Sequence, residues 1–160
     1  MSNLKLWKDD KYKRFWDMTS VSLLALCIYC EARGEGLEGQ RAVAGVIINR
    51  LKGKPDLYQG TVKNVILHCY QFSWLNPDDA EFPMACNLAD RLKDGVAPHS
   101  NYNDCLAIAR EFLAGRQTCD AIKDATLYYN PKVATKPNWD FSKLELVAHI
   151  GNHVFYRERE

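Results

Sequence analysis

Between Val21 and Tyr29 every residue except Ser22 is apolar, and the run stops abruptly at Cys30-Glu31-Ala32-Arg33. These nine residues are less than half of the ~20 that a membrane-spanning helix requires. No integral membrane segment is expected. A helix with no polar face must be surrounded by other elements, so this run predicts a central helix inside a globule. Thr19 or Ser20 can cap its start, and Gly34 and Gly36 mark its end. At 160 residues the chain has room for one such core, with residues 1–20 as an N-terminal arm packed on a single domain of 21–160.

The remaining elements follow from local patterns. A second helix is expected over about 38–52, where Ala42, Ala44 and Gly45 would let the first helix approach closely and Gly53 and Pro55 end it. A short third helix is predicted at 61–69, and an irregular helical region at 79–94, interrupted by Pro83. An amphipathic helix is predicted at 103–114, closed by Gly115. Thereafter the composition shifts to β-branched and aromatic residues. Strands are expected at 126–129, 146–150 and 153–156, with Gly151-Asn152 as a two-residue hairpin turn and 130–138 as an exposed loop. The fold class is therefore α+β, mostly helical with a small antiparallel β-sheet.

Charge and cysteine usage exclude several functions. With 21 basic and 20 acidic residues the net charge is +1, and no local basic patch compensates, so nucleic acid is not an expected partner. The six cysteines are too widely spread to form a small disulfide scaffold. Cys27-x-x-Cys30 sits near a helix C-terminus, which disfavours the thiolates that zinc or redox chemistry needs. Asp9, Asp10 and Asp17 precede the apolar run, where a secretory leader would be cationic, so no export signal is expected and synthesis is in the cytosol.

The segment 31–40 sets Glu31, Glu35 and Glu38 among Gly34, Gly36 and Gly39, directly against the most apolar helix. If that helix is continuous, Glu31 shares a stripe with Leu24, Cys27 and Ile28 and lies near the negative end of the helix dipole. Burial and the dipole both disfavour the carboxylate, and a general acid working near neutrality needs its pKa lifted to ~6–7. The competing reading is a solvated Glu31, or one paired with Arg41 or Arg50. Glu35 falls beyond the helix end, as an exposed or positioning group. His149 and His153 have zinc-pair spacing for a helix, but a hairpin turn between them sends the two imidazoles to opposite faces of the sheet, so no metal site is expected. Phe72, Trp74, Tyr128, Tyr129 and Trp139 are aromatic residues able to stack on sugar rings.

The block Glu31-Ala-Arg-Gly-Glu35, followed by Glu38-Gly-Gln40 and Val46-Ile47-Ile48-Asn49-Arg50, resembles the spore-cortex-lytic cell-wall hydrolase family of the SleB type. Gln71-Phe72-Ser73, Tyr128-Tyr129-Asn130, Pro137-Asn138-Trp139 and Ile150-Gly151-Asn152-His153-Val154-Phe155-Tyr156 continue the likeness in the same order. The resemblance implies a lysozyme-like fold with the sheet beside a substrate groove. It also implies cleavage of peptidoglycan glycan strands between N-acetylmuramic acid and N-acetylglucosamine. By motif, Glu31 is the catalytic acid. Glu35, Gln71, Phe72, Ser73, Tyr128, Trp139 and His153 map to substrate-binding positions around the groove.

Protonated Glu31 would donate to the glycosidic oxygen, and the incoming nucleophile would be water or the muramic acid's own C6 hydroxyl. The second route gives a 1,6-anhydro product and needs one carboxylate. With no clear second acid in the sequence, and with lytic transglycosylation implied by the resemblance, this route is favoured over muramidase hydrolysis. Neither route calls for a metal or any other cofactor. A monomeric bacteriophage endolysin, made in the host cytoplasm and acting on the cell wall in the periplasm after release, is the expected biology. A catalytically silent wall-binding module is the alternative.

Overall fold

The structure is a computed structural model describing residues 4–96, 100–133 and 135–160. Residues 1–3 of the expected arm and residue 134 of the expected loop lie outside the described residues. The apolar run is helix α2 (Ser20–Ala32), after α1 (Lys13–Trp16). Thr19 caps α2 by accepting the Ser22 N–H at 3.1 Å, and every residue from Leu23 to Tyr29 is buried. Sequestering each of its leucines contributes about 1.5–3 kcal/mol, so α2 organises the core.

Helices α3 (Leu37–Gly53), α4 (Pro55–Tyr58), α5 (Val62–Ile66), α6 (Phe82–Lys93) and α7 (Ser100–Leu113) complete the helical part. Both α3 and α7 pack on α2, and α7 does so most extensively. The expected packing of α3 on α2 is present, with Ala44 in their shared core, but Gly45 serves another neighbour. A Cβ on Gly45 would lie 2.8 Å from Ile122 Cδ1 and 3.2 Å from Cys119 Cβ, so the glycine admits the 119–122 segment rather than a helix. Pro83 opens α6 instead of interrupting it, because a first-turn residue has no intrahelical N–H bond to lose. No single helix among the described residues is long and apolar enough to cross a membrane.

The N-terminal residues pack into the core through their aromatic side chains. Tyr12 and Phe15 are fully buried, and the Tyr12 hydroxyl donates to Leu75 O at 2.6 Å. Ahead of them, Leu6 forms a β-bridge with His68. The Trp7 N–H donates to Leu67 O and the Cys69 N–H to Lys5 O, each at 2.9 Å. This strap holds the segment that leads into Gln71.

The sheet comprises β1 (Leu127–Tyr129), β2 (Leu144–Ile150) and β3 (His153–Glu158) in the order β1-β3-β2, all antiparallel. Gly151 takes φ +58° in the two-residue turn, a conformation that glycine adopts without steric cost. Across the turn Ile150 pairs with His153 and His149 with Val154. Side chains alternate between faces along a strand, so His153 is buried toward the helices while His149 is exposed on the other side. A bulge falls between Leu146 and Ala148.

Candidate active site

Glu31 occupies the last turn of α2, where the apolar face ends beneath β1. The Tyr128 hydroxyl, from the middle of β1, donates a hydrogen bond to Glu31 Oε1. Burial pushes the Glu31 carboxyl up to about 7; the Tyr128 hydrogen bond and the Arg50 charge oppose the rise, and Glu81 adds to it. At that value the side chain holds a transferable proton near neutrality. Burial likewise drives the Tyr128 phenol well above its ordinary range, reinforced by the neighbouring Glu31 charge. Tyr128 therefore acts as a hydrogen-bond donor and not as a base.

Two residues at the end of the α3 apolar stretch place β1. Asn49 Nδ2 donates to Lys123 O at 3.0 Å and to Ala125 O at 2.9 Å. Arg50 Nε donates to Thr126 O at 2.7 Å. Together they fix the strand's approach and so the height of Tyr128 over Glu31. The guanidinium of Arg50 also lies 5.4 Å from the centre of the Phe72 ring. Neither Asn49 nor Arg50 was singled out as a site residue from the sequence; the signal that finds them is a polar pair ending an otherwise apolar helix face.

Glu35 belongs to a different arrangement. Its Oε1 accepts the Asn152 backbone N–H at 2.9 Å, and Asn152 Nδ2 reaches Oε2 at 3.4 Å. His153 Nδ1 lies 3.1 Å from Oε1, at an angle too bent for a straight N–H···O bond, and both side chains are only 10% exposed. Burial pushes the His153 pKa down, and the Glu35 charge partly offsets this. The His153 ring meets Tyr128 edge-on, 5.1 Å between centres. Glu35 thus clasps the β2–β3 turn to the α2–α3 junction, and the turn carries the histidine that backs Tyr128.

The other predicted groove residues divide. Gln71 and Ser73 are exposed, and Gln71 lines a cleft of about 590 Å³ that reaches Arg50. Phe72 is 2% exposed, so it supports Arg50 and has no face free for a sugar. The polar atoms of Glu35 and His153 are turned toward each other and the hairpin. Trp139 sits with Tyr129 and Tyr156, at ring-centre distances of 5.7 and 6.3 Å. Tyr129 alternates with Tyr128 along β1, which puts this aromatic group on the sheet face away from Glu31. A larger cleft, about 780 Å³ between α3, α7 and the segment 117–123, contains none of the predicted residues.

The two thiols of the Cys27-x-x-Cys30 pair are inert by position. Cys27 and Cys30 are free, and burial, the main cause for both, drives their pKa values far above the ordinary thiol range. Neither supplies a thiolate near neutral pH.

Comparison with known proteins places this geometry in context. The sequence model of a family described as Cell Wall Hydrolase matches residues 34–156, a span beginning just after Glu31. The spore cortex-lytic enzyme of Bacillus subtilis (strain 168) is 32% identical over 136 residues, 84% of this chain and 36% of the relative. That of Oceanobacillus iheyensis is 29% identical over 147 residues, 88% of this chain and 42% of the relative. The chain therefore matches well under half the length of either protein. Among solved structures, the catalytic domain of the germination-specific lytic transglycosylase SleB from Bacillus anthracis superposes with a TM-score of 0.57. It is 25% identical, with 86% of this chain and 93% of that one covered. The catalytic domain of the Bacillus cereus SleB protein gives 0.58, also at 25% identity, covering 86% and 89%. The mostly helical, lysozyme-like α+β fold is common to all three.

Proposed function

Because this chain belongs to the cell wall hydrolase family, we propose that it cleaves peptidoglycan glycan strands at the bond between N-acetylmuramic acid and N-acetylglucosamine, with Glu31 as the general acid. The observation that carries this reading is the Glu31 carboxyl at the end of a buried helix, held protonated near neutrality and oriented by the Tyr128 hydroxyl. A proton passes from Glu31 to the glycosidic oxygen as the C1–O bond breaks toward an oxocarbenium-like state. The resulting carboxylate is stabilised by the Tyr128 hydrogen bond and the Arg50 charge, and then takes the proton from the nucleophile.

The nucleophile in this reading is the C6 hydroxyl of the same muramic acid, which closes a 1,6-anhydro ring. Glu35, the nearest carboxylate in sequence, is committed to Asn152 and His153. That supports a one-carboxylate route. Hydrolysis by water is the second reading, and Glu81 is the residue that favours it. Its charge acts on Glu31, and its only ion pair among the described residues is a loose one, 3.9 Å from Arg33.

Digestion of purified sacculi by wild type and Glu31→Gln, with mass analysis of the muropeptides, tests both points. Products one water lighter than reducing-end fragments mark the anhydro route, and undiminished lysis by Glu31→Gln removes the proposed acid. The setting that suits this activity is a bacteriophage endolysin acting on its host's wall after release from the cytoplasm. Lysis of host cells only when the chain is produced together with a membrane pore tests that setting.

A further inference from the structure

The cleft of about 590 Å³ that ends at Arg50 has an uneven charge. Arg50, Lys52, Lys54 and His68 line it on one side, with Gln71 beside them, and Asp124 and Glu158 lie on the other. Asp124 is paired with Arg157 at 3.2 Å. That leaves Glu158 as the single carboxylate without an ion pair in the cleft, facing three cations. Among the described residues neither Lys52 nor Lys54 has a carboxylate within ion-pair reach, and both are exposed.

Two residues that line the same cleft also carry buried nitrogens without a partner, beneath its surface. Arg50 Nη1 and His68 Nδ1 are both buried and lack a hydrogen-bond partner in the protein. Buried polar atoms are satisfied in the great majority of cases, and an orphan calls for an explanation such as a bound group. An unpaired guanidinium N–H is costly to leave buried and binds carboxylates strongly when it meets them. The segment that supplies His68 and Gln71 is held firmly by the bridge from Leu6.

We infer that this cleft is a binding site for the peptide stem of the wall glycan, with Arg50, Lys52 and Lys54 receiving the stem's carboxylates and Glu158 its single ammonium group. The inference rests on the reading of the chain as a glycan-strand enzyme. The stem hangs from the lactyl group of the muramic acid, next to the bond that Glu31 protonates. Arg50 joins the two places, since its charge acts on Glu31 while its side chain lines the cleft. Carboxylates separated by a few bonds along a peptide, with one amine among them, match a row of three cations closed by one acid. The enzyme accordingly prefers strands that still carry their peptides over strands stripped of them.

The test is a titration of the intact protein with the N-acetylated tripeptide N-acetyl-L-alanyl-γ-D-glutamyl-meso-diaminopimelate, whose blocked amino terminus leaves a single ammonium group, followed by backbone amide shifts. The expected result is saturable binding with shifts confined to residues 49–54, 68–71, 124–127 and 157–159. In the exposed double variant Lys52→Glu/Lys54→Glu, binding should weaken by about tenfold or more, a change of at least ~1.4 kcal/mol. No saturable binding, shifts centred elsewhere, or equal binding by the double variant would overturn the inference. Sacculi left undigested by wild-type protein would instead defeat the glycosidase reading, and the titration would still report on the cleft.

Discussion

Glu35 and Gly151 are fitted to each other: a Cβ on Gly151 would lie 2.8 Å from Glu35 Oε2 and 3.0 Å from Glu35 Cδ. From the opposite side, a Cβ on Gly39 would come within 2.8 Å of Glu35 Cβ. The Glu35 side chain thus passes two glycines, its stem against Gly39 of α3 and its carboxylate against Gly151 of the hairpin turn.

Gly151→Ala should therefore do double damage, since φ +58° disfavours any side chain and the new methyl would strike a carboxylate already committed to Asn152. A loss of about 2–4 kcal/mol in urea unfolding is expected, from backbone strain together with the displaced hydrogen bonds. Glu35→Gln keeps the shape and an acceptor for the Asn152 N–H but removes the charge beside His153. It should lower kcat more than it raises KM, because the clasp acts through the hairpin whose His153 backs Tyr128. A pure KM effect would return Glu35 to the substrate contacts.

The pH profile follows from Glu31. The acid is needed protonated, so the rate should be level below about 7 and fall as pH rises through that value. Stability has the same sign. The folded-state pKa exceeds the ordinary 4.5, so the native state binds the extra proton between those two values. Stability is therefore fully retained below 4.5 and declines as pH rises toward 7. Glu31→Gln abolishes this slope, and at pH 8 it should be more stable than wild type by up to about 3 kcal/mol while losing ~10²–10⁴ in rate. Unfolding curves at pH 5 and 8 check the first statement, and muropeptide release checks the second.

Tyr128→Phe removes the hydrogen bond that lowers the Glu31 pKa. The alkaline limb of the rate profile should move upward, with kcat reduced by about tenfold or more through the lost stabilisation of the carboxylate. A reduced rate with an unmoved limb would mean that Tyr128 acts on the substrate alone.

Lys123 takes φ +49° and ψ −124°, a region that side chains other than glycine rarely enter. Asn49 holds it there through Lys123 O and Ala125 O. Lys123→Gly should relieve the strain and stabilise the fold by about 1 kcal/mol, with activity per folded molecule retained. A melting temperature that falls in this variant would show that the lysine side chain matters more than its backbone.

Local chemistry was legible where the determining residues are neighbours in sequence. The Thr19 cap, the end of α2 before Gly34, and the Gly151-Asn152 turn with its split histidines all follow from short-range rules. The elevated pKa of Glu31 follows from the same apolar stripe that identifies the helix. The bounds of short elements were less legible: the turn of α4 was missed, and α5 stops at Ile66 because the chain beyond it is drawn into the bridge with Leu6.

Contacts between distant residues were not legible. Tyr128 lies 97 residues from Glu31, and no pattern in either segment announces that a phenol will meet that carboxyl. Aromatic residues look alike in sequence, whether they underlie an arginine as Phe72 does or join a cluster on the outer sheet face as Trp139 does. Only the pleat of β1 and the packing of Arg50 separate those roles. Glu35 looked exposed for a comparable reason: it lies just past a helix end, and the turn that buries it arrives more than a hundred residues later.

In the strand order β1-β3-β2 the two edge strands take their hydrogen bonds from β3 and none from each other. Among the described residues of the connection that joins them, 130–133 and 135–143, none takes part in the ladder. Lengthening such a connection costs only ~0.6 kcal/mol per doubling. Insertion beside the exposed Val133, ahead of the Trp139 and Phe141 rings that pack on Tyr156, should leave Glu31 and Tyr128 in place, which makes the domain a chassis for added sequence.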